Sequence, residues 1–338
     1  MNVLVTGGCG FVGSNLSIFL KKKLNCNVFS LDNLSRRGSS VNLKRLKKNK
    51  IINFNRNISN KNAFKNLPCF DIVIDCCAEA AIDYSKNESR RVFNTNLIGT
   101  FNLLEKIKKD KSKIIFVSTS RVYSILKINN IFVNNYNKKY SINEKFSTGA
   151  PISIYGFTKL SSEMLIQEYS YLYNLKYIIN RCGVISGPWQ FGKIDQGFIS
   201  YWCWNYLNNI KKITFRGYNG SGNQIRDVLH IDDFNNLILK QILKFDKIFN
   251  IIFNVGGGRK SFIKLIKLSK ICEKISGNII KIKKVIKTSN YDIPCYISNI
   301  TKVSKFYNWT PKKKINEIVI DNFLWQKNNI KKIYKYFN

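Results

Sequence analysis

The chain has 338 residues, 44% of them hydrophobic, enough for one large α/β unit or two modest domains with a real core. Its 56 basic and 20 acidic residues give a formal net charge of +36, but the lysines are scattered (Lys21–Lys23, Lys47–Lys50, Lys106–Lys113, Lys312–Lys314) amid abundant Asn, Ile and Phe, which reads as coding bias and not as a nucleic-acid-binding block. No apolar run reaches the roughly 18 residues that span a bilayer, the N-terminus has no secretory pattern, and nine cysteines without a CxxC, beside the single histidine His230, argue against a disulfide framework or a metal site; a cytoplasmic protein with no metal, membrane or nucleic-acid partner is expected.

Val3–Thr6 is an apolar run of strand length, and Phe11–Leu24 follows as a helix with Phe11, Leu16, Phe19, Leu20 and Leu24 toward one face. Val28–Leu31 is the second strand and ends at Asp32. Ile51–Phe54, Ile72–Cys76 and Ile114–Ser118 continue the series, with a long helix over Arg90–Lys109 between the last two. Lys127–Ser147, rich in Asn, Lys and Tyr, reads as a surface loop. Ile154–Tyr173 is a further helix and Tyr177–Arg181 a sixth strand. Strands alternating with helices specify an α/β fold, a Rossmann-type doubly wound parallel sheet covered on both faces. Beyond Arg181 the pattern turns irregular and richer in Gly, Trp and Tyr, which marks a smaller second domain. Val228–Val255 reads as helix then strand and returns to the first. The expected division is residues 1–181 and 228–255 for a dinucleotide-binding domain, and 182–227 and 256–338 for a discontinuous C-terminal substrate domain.

Between the first strand and the first helix lies Gly7-Gly8-Cys9-Gly10-Phe11-Val12-Gly13, a GxxGxxG variant of the dinucleotide fingerprint in its required context. Gly7 permits the tight turn, Gly10 lets the backbone approach a pyrophosphate on the helix N-terminus, and Gly13 allows close helix–strand packing. Asp32, at the end of the second strand, stands where an acidic residue bonds the ribose hydroxyls of NAD and repels the extra phosphate of NADP. Arg36 and Arg37 follow it and pull the other way; the carboxylate holds the discriminating position, so NAD is expected.

Tyr155 and Lys159 lie four residues apart at the start of a helix, on one face. A lysine ammonium about 4 Å from the phenol favours the tyrosinate by up to roughly 4 kcal/mol, which brings its pKa toward neutrality. Tyr155 then serves as general base and acid, and Lys159 also holds the nicotinamide ribose. Ser118-Thr119-Ser120 places hydroxyls just past the fifth strand, at the carboxyl edge where such sheets bind ligands. Thr119 can bond the substrate oxygen whose proton Tyr155 removes.

Together these residues resemble the extended short-chain dehydrogenase/reductase family, in particular its NAD-dependent nucleotide-sugar epimerases and dehydratases. The resemblance runs over nearly the whole chain. It implies that Gly7, Gly10, Phe11, Val12, Gly13, Asp32, Asn33, Ser35, Arg36, Asn57, Ile58, Cys77, Ala78, Asn96, Ser118, Tyr155, Lys159 and Cys182 line the cofactor, and that Thr119, Tyr155 and Lys159 are catalytic. In the second half, the segments Gly187–Gly197 and Gly220–His230 are similar to the CDP-sugar 2-epimerases of the family. By that similarity Arg226 clamps a nucleotide diphosphate and Gln190, Asp195 and Gln196 line the sugar–nucleotide pocket, while His230 is structural. Three departures stand out. Asn57 replaces a frequent Asp, Val184 and Ser186 stand where many members have Asn and Tyr, and Pro294 occupies the register of a second phosphate-clamping arginine. The step Thr119-Ser120-Arg121 lacks the Asp-Glu pair with which family dehydratases eliminate water. The implied activity is epimerisation of a nucleotide sugar with internally recycled NAD, in a homodimer built on Arg90–Lys109 and Ile154–Tyr173. Epimerisation at C4 of a UDP-sugar, a one-way dehydrogenase or reductase, and a non-catalytic NAD- or polyanion-binding protein are the alternatives.

Overall fold

The structure, a computed structural model, describes residues 1–80, 88–134, 140–193 and 196–337. Strand β1 (Asn2–Thr6) has Val3, Leu4 and Val5 without solvent exposure, as a strand covered on both faces must. Helix α1 (Phe11–Lys23) turns Gly13, Ser14, Leu16, Ser17 and Leu20 inward, so small residues share the stripe read from the sequence and Phe11 and Phe19 lie at its margin. Then come β2 (Asn27–Leu31), α2 (Ser39–Lys48), β3 (Ile52–Phe54) and β4 (Ile72–Asp75). Helix α2 is missing from the sequence-based series, because its buried stripe of Ser39, Asn42 and Leu46 holds one apolar residue only.

The long helix expected over Arg90–Lys109 is interrupted. It consists of α3 (Ser89–Phe93), a π-helical turn (Asn94–Ile98) and α4 (Gly99–Asp110). Strand β5 (Lys113–Thr119) follows, then α5 (Ile125–Asn134), α6 (Ser153–Tyr173) and β6 (Tyr177–Cys182). The expected surface loop over Lys127–Ser147 therefore begins inside a helix. Beyond β6 lie β7 (Val184–Ser186), α7 (Phe198–Leu207), β8 (Lys212–Arg216), β9 (Ile225–His230), α8 (Ile231–Leu243) and β10 (Ile251–Val255). The chain ends with β11 (Phe262–Lys264), α9 (Leu265–Ser276), β12 (Lys281–Val285), β13 (Cys295–Tyr296), α10 (Thr301–Tyr307) and α11 (Ile315–Ile333).

Seven strands form one sheet in the order β3-β2-β1-β4-β5-β6-β10. The pairs β1–β2, β2–β3, β1–β4 and β4–β5 are parallel, the doubly wound order with its switch beside β1. The packing separates two units. The first comprises Met1–Val122, Ser153–Arg181 and Asn235–Phe253; the second comprises Tyr123–Ile152, Cys182–Phe234 and Asn254–Asn338. This division differs from the sequence-based boundaries at residues 123–152, 228–234 and 254–255. Residues 123–152 group with the second unit, where Ile142 bridges Ser298 and Tyr123 stacks on Tyr296 and bonds Asn254. Strand β9 also belongs there: it pairs with β7, β11 and β13, so the chain re-enters the first unit within α8. The second unit's core gathers Ile199, Trp202, Cys203, Phe215, Ile318 and Phe323. Among the described residues no helix is long and apolar enough to cross a membrane.

Candidate active site

The glycines of the first loop serve different ends. Gly7 has φ +62°, and a Cβ there would lie 2.9 Å from the Cys76 carbonyl oxygen and from Cys77 Cα. A Cβ on Gly13 would lie 2.3 Å from the Gly7 carbonyl oxygen. Both are demanded by the protein's own packing. Gly10 is not: its φ is −72°, and a Cβ would meet only Gly7 O, at 3.1 Å. Its missing side chain instead leaves room in front of α1, whose N-terminus has no side-chain cap and no acidic residue in its first turn. The amide end of the helix dipole at Phe11, Val12 and Gly13 is thus matched to an anion such as a pyrophosphate.

Asp32 follows β2. Its Oδ2 accepts the Cys9 amide hydrogen at 3.0 Å and its Oδ1 that of Leu34 at 2.7 Å. Burial pushes its carboxyl above the usual range, against these bonds and the Arg36 charge. Each oxygen keeps lone-pair capacity for a ribose hydroxyl. Two residues that sequence reading missed brace the loop. Asn42 donates to the Cys9 and Gly10 carbonyls at 3.1 and 3.4 Å, and Arg45 donates to Asn42 Oδ1 at 2.9 Å and to Ser14 Oγ at 3.1 Å. Asn33 accepts the Ser35 amide hydrogen in an exposed turn at 3.1 Å. Arg36 Nη1 lies 3.4 Å from Glu79 Oε2. Asn57 is exposed, and its Oδ1 accepts from the Ser59 amide at 3.1 Å and hydroxyl at 2.9 Å, so that oxygen is engaged within its own turn. Ile58 is buried beneath Gly99. Cys77 and Ala78 continue from β4, where the Cys77 amide donates to Asp75 Oδ1 at 3.1 Å. Burial of the sulfur pushes the Cys77 thiol well above its ordinary range, so it acts as a small apolar group.

The π turn explains Asn96. Its buried carbonyl accepts the Thr100 hydroxyl at 2.6 Å and the Ser162 hydroxyl at 3.1 Å. Its side-chain Nδ2 donates to Thr158 Oγ1 at 3.0 Å, and Thr158 donates in turn to the Tyr155 carbonyl at 3.0 Å. Asn96 therefore braces the first turn of α6. Such π turns concentrate at functional sites. The start of α6 is fixed by Ser153, whose Oγ accepts the Gly156 amide hydrogen at 3.1 Å. Tyr155 is buried except for 8% of its surface, and Lys159 except for 1%. Lys159 Nζ lies 3.7 Å from the centre of the Phe116 ring. Burial lowers its pKa, and the Asp75 and Glu163 carboxylates work to restore it.

One turn further along α6, Glu163 is fully buried and is gripped by the Arg181 fork, with Nη2 at 2.7 Å and Nε at 3.0 Å from Oε2 and Nε also 3.2 Å from Oε1. The Ser118 hydroxyl donates to the same carboxylate. The Ser118 side chain is thus turned into this network. Sequence reading did not single out Glu163 or Arg181; a lone Glu and Arg in strongly charged surroundings carry no signal. Thr119 ends β5 and is largely buried; its Oγ1 accepts the Arg121 amide hydrogen at 3.2 Å, which leaves the hydroxyl hydrogen to donate elsewhere.

In the second unit, Cys182 is buried at the end of β6. Gln190 accepts from Ser186 Oγ at 2.8 Å and donates to the Ile185 carbonyl at 3.2 Å, so its amide supports its own loop. Gln196 bridges Lys193 through the backbone, and Asp195 lies outside the described residues. Arg226 pairs with Asp292 at 2.8 Å and donates to the Ile225 carbonyl at 2.8 Å. The neighbouring Asp227 instead accepts the Gly258 amide at 3.0 Å and the Ser298 amide at 3.2 Å in full burial. His230 is buried, accepts the Asp232 amide hydrogen on Nδ1 at 3.1 Å, and has its pKa lowered by burial.

An open glycine cradle on an uncapped helix end, a carboxylate at the second strand, and a Tyr–Lys pair on one helical turn fit a nicotinamide dinucleotide. Comparison with known proteins gives the same answer. Residues 3–256 match the NAD dependent epimerase/dehydratase family, so the chain belongs to that family of enzymes, and NAD is its cofactor. Among its relatives is the CDP-paratose 2-epimerase of Salmonella typhi, 29% identical over 96% of this chain and 99% of that one. The crystal structure of a UDP-glucose 4-epimerase from Thermotoga maritima, with UDP-glucose, superposes with a TM-score of 0.83 at 27% identity, covering 98% of this chain and all of the other. A dTDP-glucose 4,6-dehydratase from Bacillus anthracis, in complex with NAD, gives 0.82 at 25% identity over 99% of each chain.

Proposed function

We propose that the protein is a nucleotide-sugar epimerase that inverts one carbinol carbon, C2 of a CDP-linked sugar, through a transient ketone. The observation that carries this reading is the Tyr155–Lys159 turn, with Lys159 buried against Phe116 and Thr119 ending β5. The first unit is assigned the cofactor and the redox step, the second the recognition of the nucleotide sugar through Arg226, Gln190, Asp195 and Gln196. Asp32 is assigned the adenosine ribose and the α1 N-terminus the pyrophosphate. NAD, when bound, supplies a hydride acceptor that can return what it takes.

Thr119 donates to the reacting sugar oxygen and holds it in place. Tyr155 takes that oxygen's proton as the carbonyl forms and gives it back when the alcohol is restored. Lys159 stabilises the phenolate through its charge, in surroundings where water does not screen it. Asn96, Thr158 and Ser153 hold the turn that carries both. Glu163 and Arg181 fix the next turn to the sheet.

The CDP and C2 assignments rest on the similarity to CDP-paratose 2-epimerase over nearly the whole of both chains. The same residues would serve C4 of a UDP-sugar, since the pocket decides which carbon is presented. Incubation of the purified protein with CDP-, UDP- and dTDP-sugars, followed by proton NMR of the sugar signals, tests this. We expect interconversion of C2 epimers on a CDP-sugar without added cofactor. Turnover confined to C4 of UDP-sugars, or loss of water from a dTDP-sugar, would refute it.

We also propose a homodimer. Phe157, Met164 and Tyr171 recur every seventh residue along α6 and are exposed, as is Phe101 on α4. That spacing is the seam pattern of packed helices.

A further inference from the structure

Glu79 is a residue that no motif singled out. It directly follows Cys77 and Ala78, and its side chain is 6% exposed. Asn96 clamps its backbone from both sides: the Glu79 amide donates to Asn96 Oδ1 at 2.8 Å, and Asn96 Nδ2 donates to the Glu79 carbonyl at 3.2 Å. The carboxylate faces two cations. Oε1 accepts from Arg91 Nη2 at 3.2 Å, and Oε2 lies 3.4 Å from Arg36 Nη1. Among the described residues, buried Oε2 and buried Arg36 Nη2 make no hydrogen bond. Arg36 is therefore held by charge, and its second nitrogen stays available should the pairing be released.

Arg36 follows Asp32 by four residues, in the region where an arginine accommodates the 2′-phosphate of NADP. The buried Glu79 carboxylate, which Arg36 shares with Arg91, already offsets part of the charge on the Arg36 guanidinium. A 2′-phosphate competing for it would also meet the Glu79 charge in weakly screened surroundings. Arg37 is exposed, and a hydrated, salt-screened charge compensates little.

We infer that Glu79 sets cofactor preference by tethering Arg36, so that the chain discriminates against NADP with two carboxylates, Asp32 directly and Glu79 through the arginine. This rests on the reading that Asp32 holds the adenosine ribose.

The test is a competition of NAD with NADP for the full chain, the bound dinucleotides being released and quantified by chromatography. Glu79→Gln should raise the NADP-to-NAD ratio about tenfold, the worth of one charge-assisted hydrogen bond. The double variant Glu79→Gln/Arg36→Ala should lose that gain. An unchanged ratio in a Glu79→Gln protein that melts like the parent, or a gain that survives in the double variant, overturns the inference. If Glu79→Gln does not fold, Arg36→Ala decides: with Glu79 in place the ratio should move less than about threefold. A larger fall would show that Arg36 already serves NADP, and the inference would fail. Asp32→Ala should abolish the preference for NAD; if that preference persists, the ribose reading itself is wrong, a failure separate from that of Glu79 alone.

Discussion

Tyr155 is an ordinary phenol whose neighbour one turn along the helix is a buried cation. Removing its hydroxyl takes away the proton carrier and leaves the glycine cradle intact. Tyr155→Phe should therefore lower kcat by about 10³-fold, while the purified chain still carries NAD by mass spectrometry. Near-parental turnover would remove Tyr155 from the chemistry. Asp227 is a residue-scale case of another kind. Full burial pushes its carboxyl from 3.8 up to about 6, against amide bonds from Gly258 and Ser298. Between those values the folded chain holds a proton that the unfolded chain has released. The stability so gained is complete below the unfolded value and is lost as pH rises through the folded one. The melting temperature of the parent should thus fall relative to Asp227→Asn between about pH 3.5 and 6.5, by the equivalent of up to roughly 3 kcal/mol. A difference that stays flat with pH would contradict this.

At the scale of elements, the β1–α1 loop separates glycines that the fold needs from one that leaves room for the ligand. Gly13→Ala places a Cβ 2.3 Å from a carbonyl oxygen and should destabilise the chain. Gly10→Ala meets one atom at 3.1 Å; it should melt close to the parent and bind NAD at least about tenfold more weakly. Calorimetry and NAD titration read both, and equal effects of the two substitutions on melting would defeat the distinction. The loop was legible because strand, glycine spacing, helix and Asp32 lie within one stretch of sequence. The braces behind it were not. Asn42 and Arg45 lie on a helix with one buried apolar residue, and Glu163 reaches Arg181 only after the sheet has formed. The π turn escaped for a related reason. The residues Asn94–Ile98 continue a helical pattern, and the extra residue per turn is fixed by hydroxyls of Thr100 and Ser162 that capture the Asn96 carbonyl.

For the whole molecule, alternation of strands and helices carried the α/β class and the doubly wound parallel sheet. It carried the second unit less well. Strand β9 pairs with β7, β11 and β13, partners far away in sequence, and residues 123–152 are held there by long-range bonds such as Asn254 to the Ile142 carbonyl, at 2.8 Å. Local patterns hold no record of such pairings. The seam along α6 makes a prediction at this scale. Met164→Glu places a charge at its middle and should yield a monomer by light scattering, with an unchanged far-ultraviolet spectrum. A dimer that survives would place the interface elsewhere. In the proposed reaction the hydride leaving the sugar returns to the same carbon of the same molecule. This is tested most directly with a CDP-sugar deuterated at C2, turned over by the protein with only the NAD it carries. The epimer should retain its deuterium, with no accumulation of NADH. Deuterium lost to solvent, or one NADH formed for each sugar consumed, would contradict it.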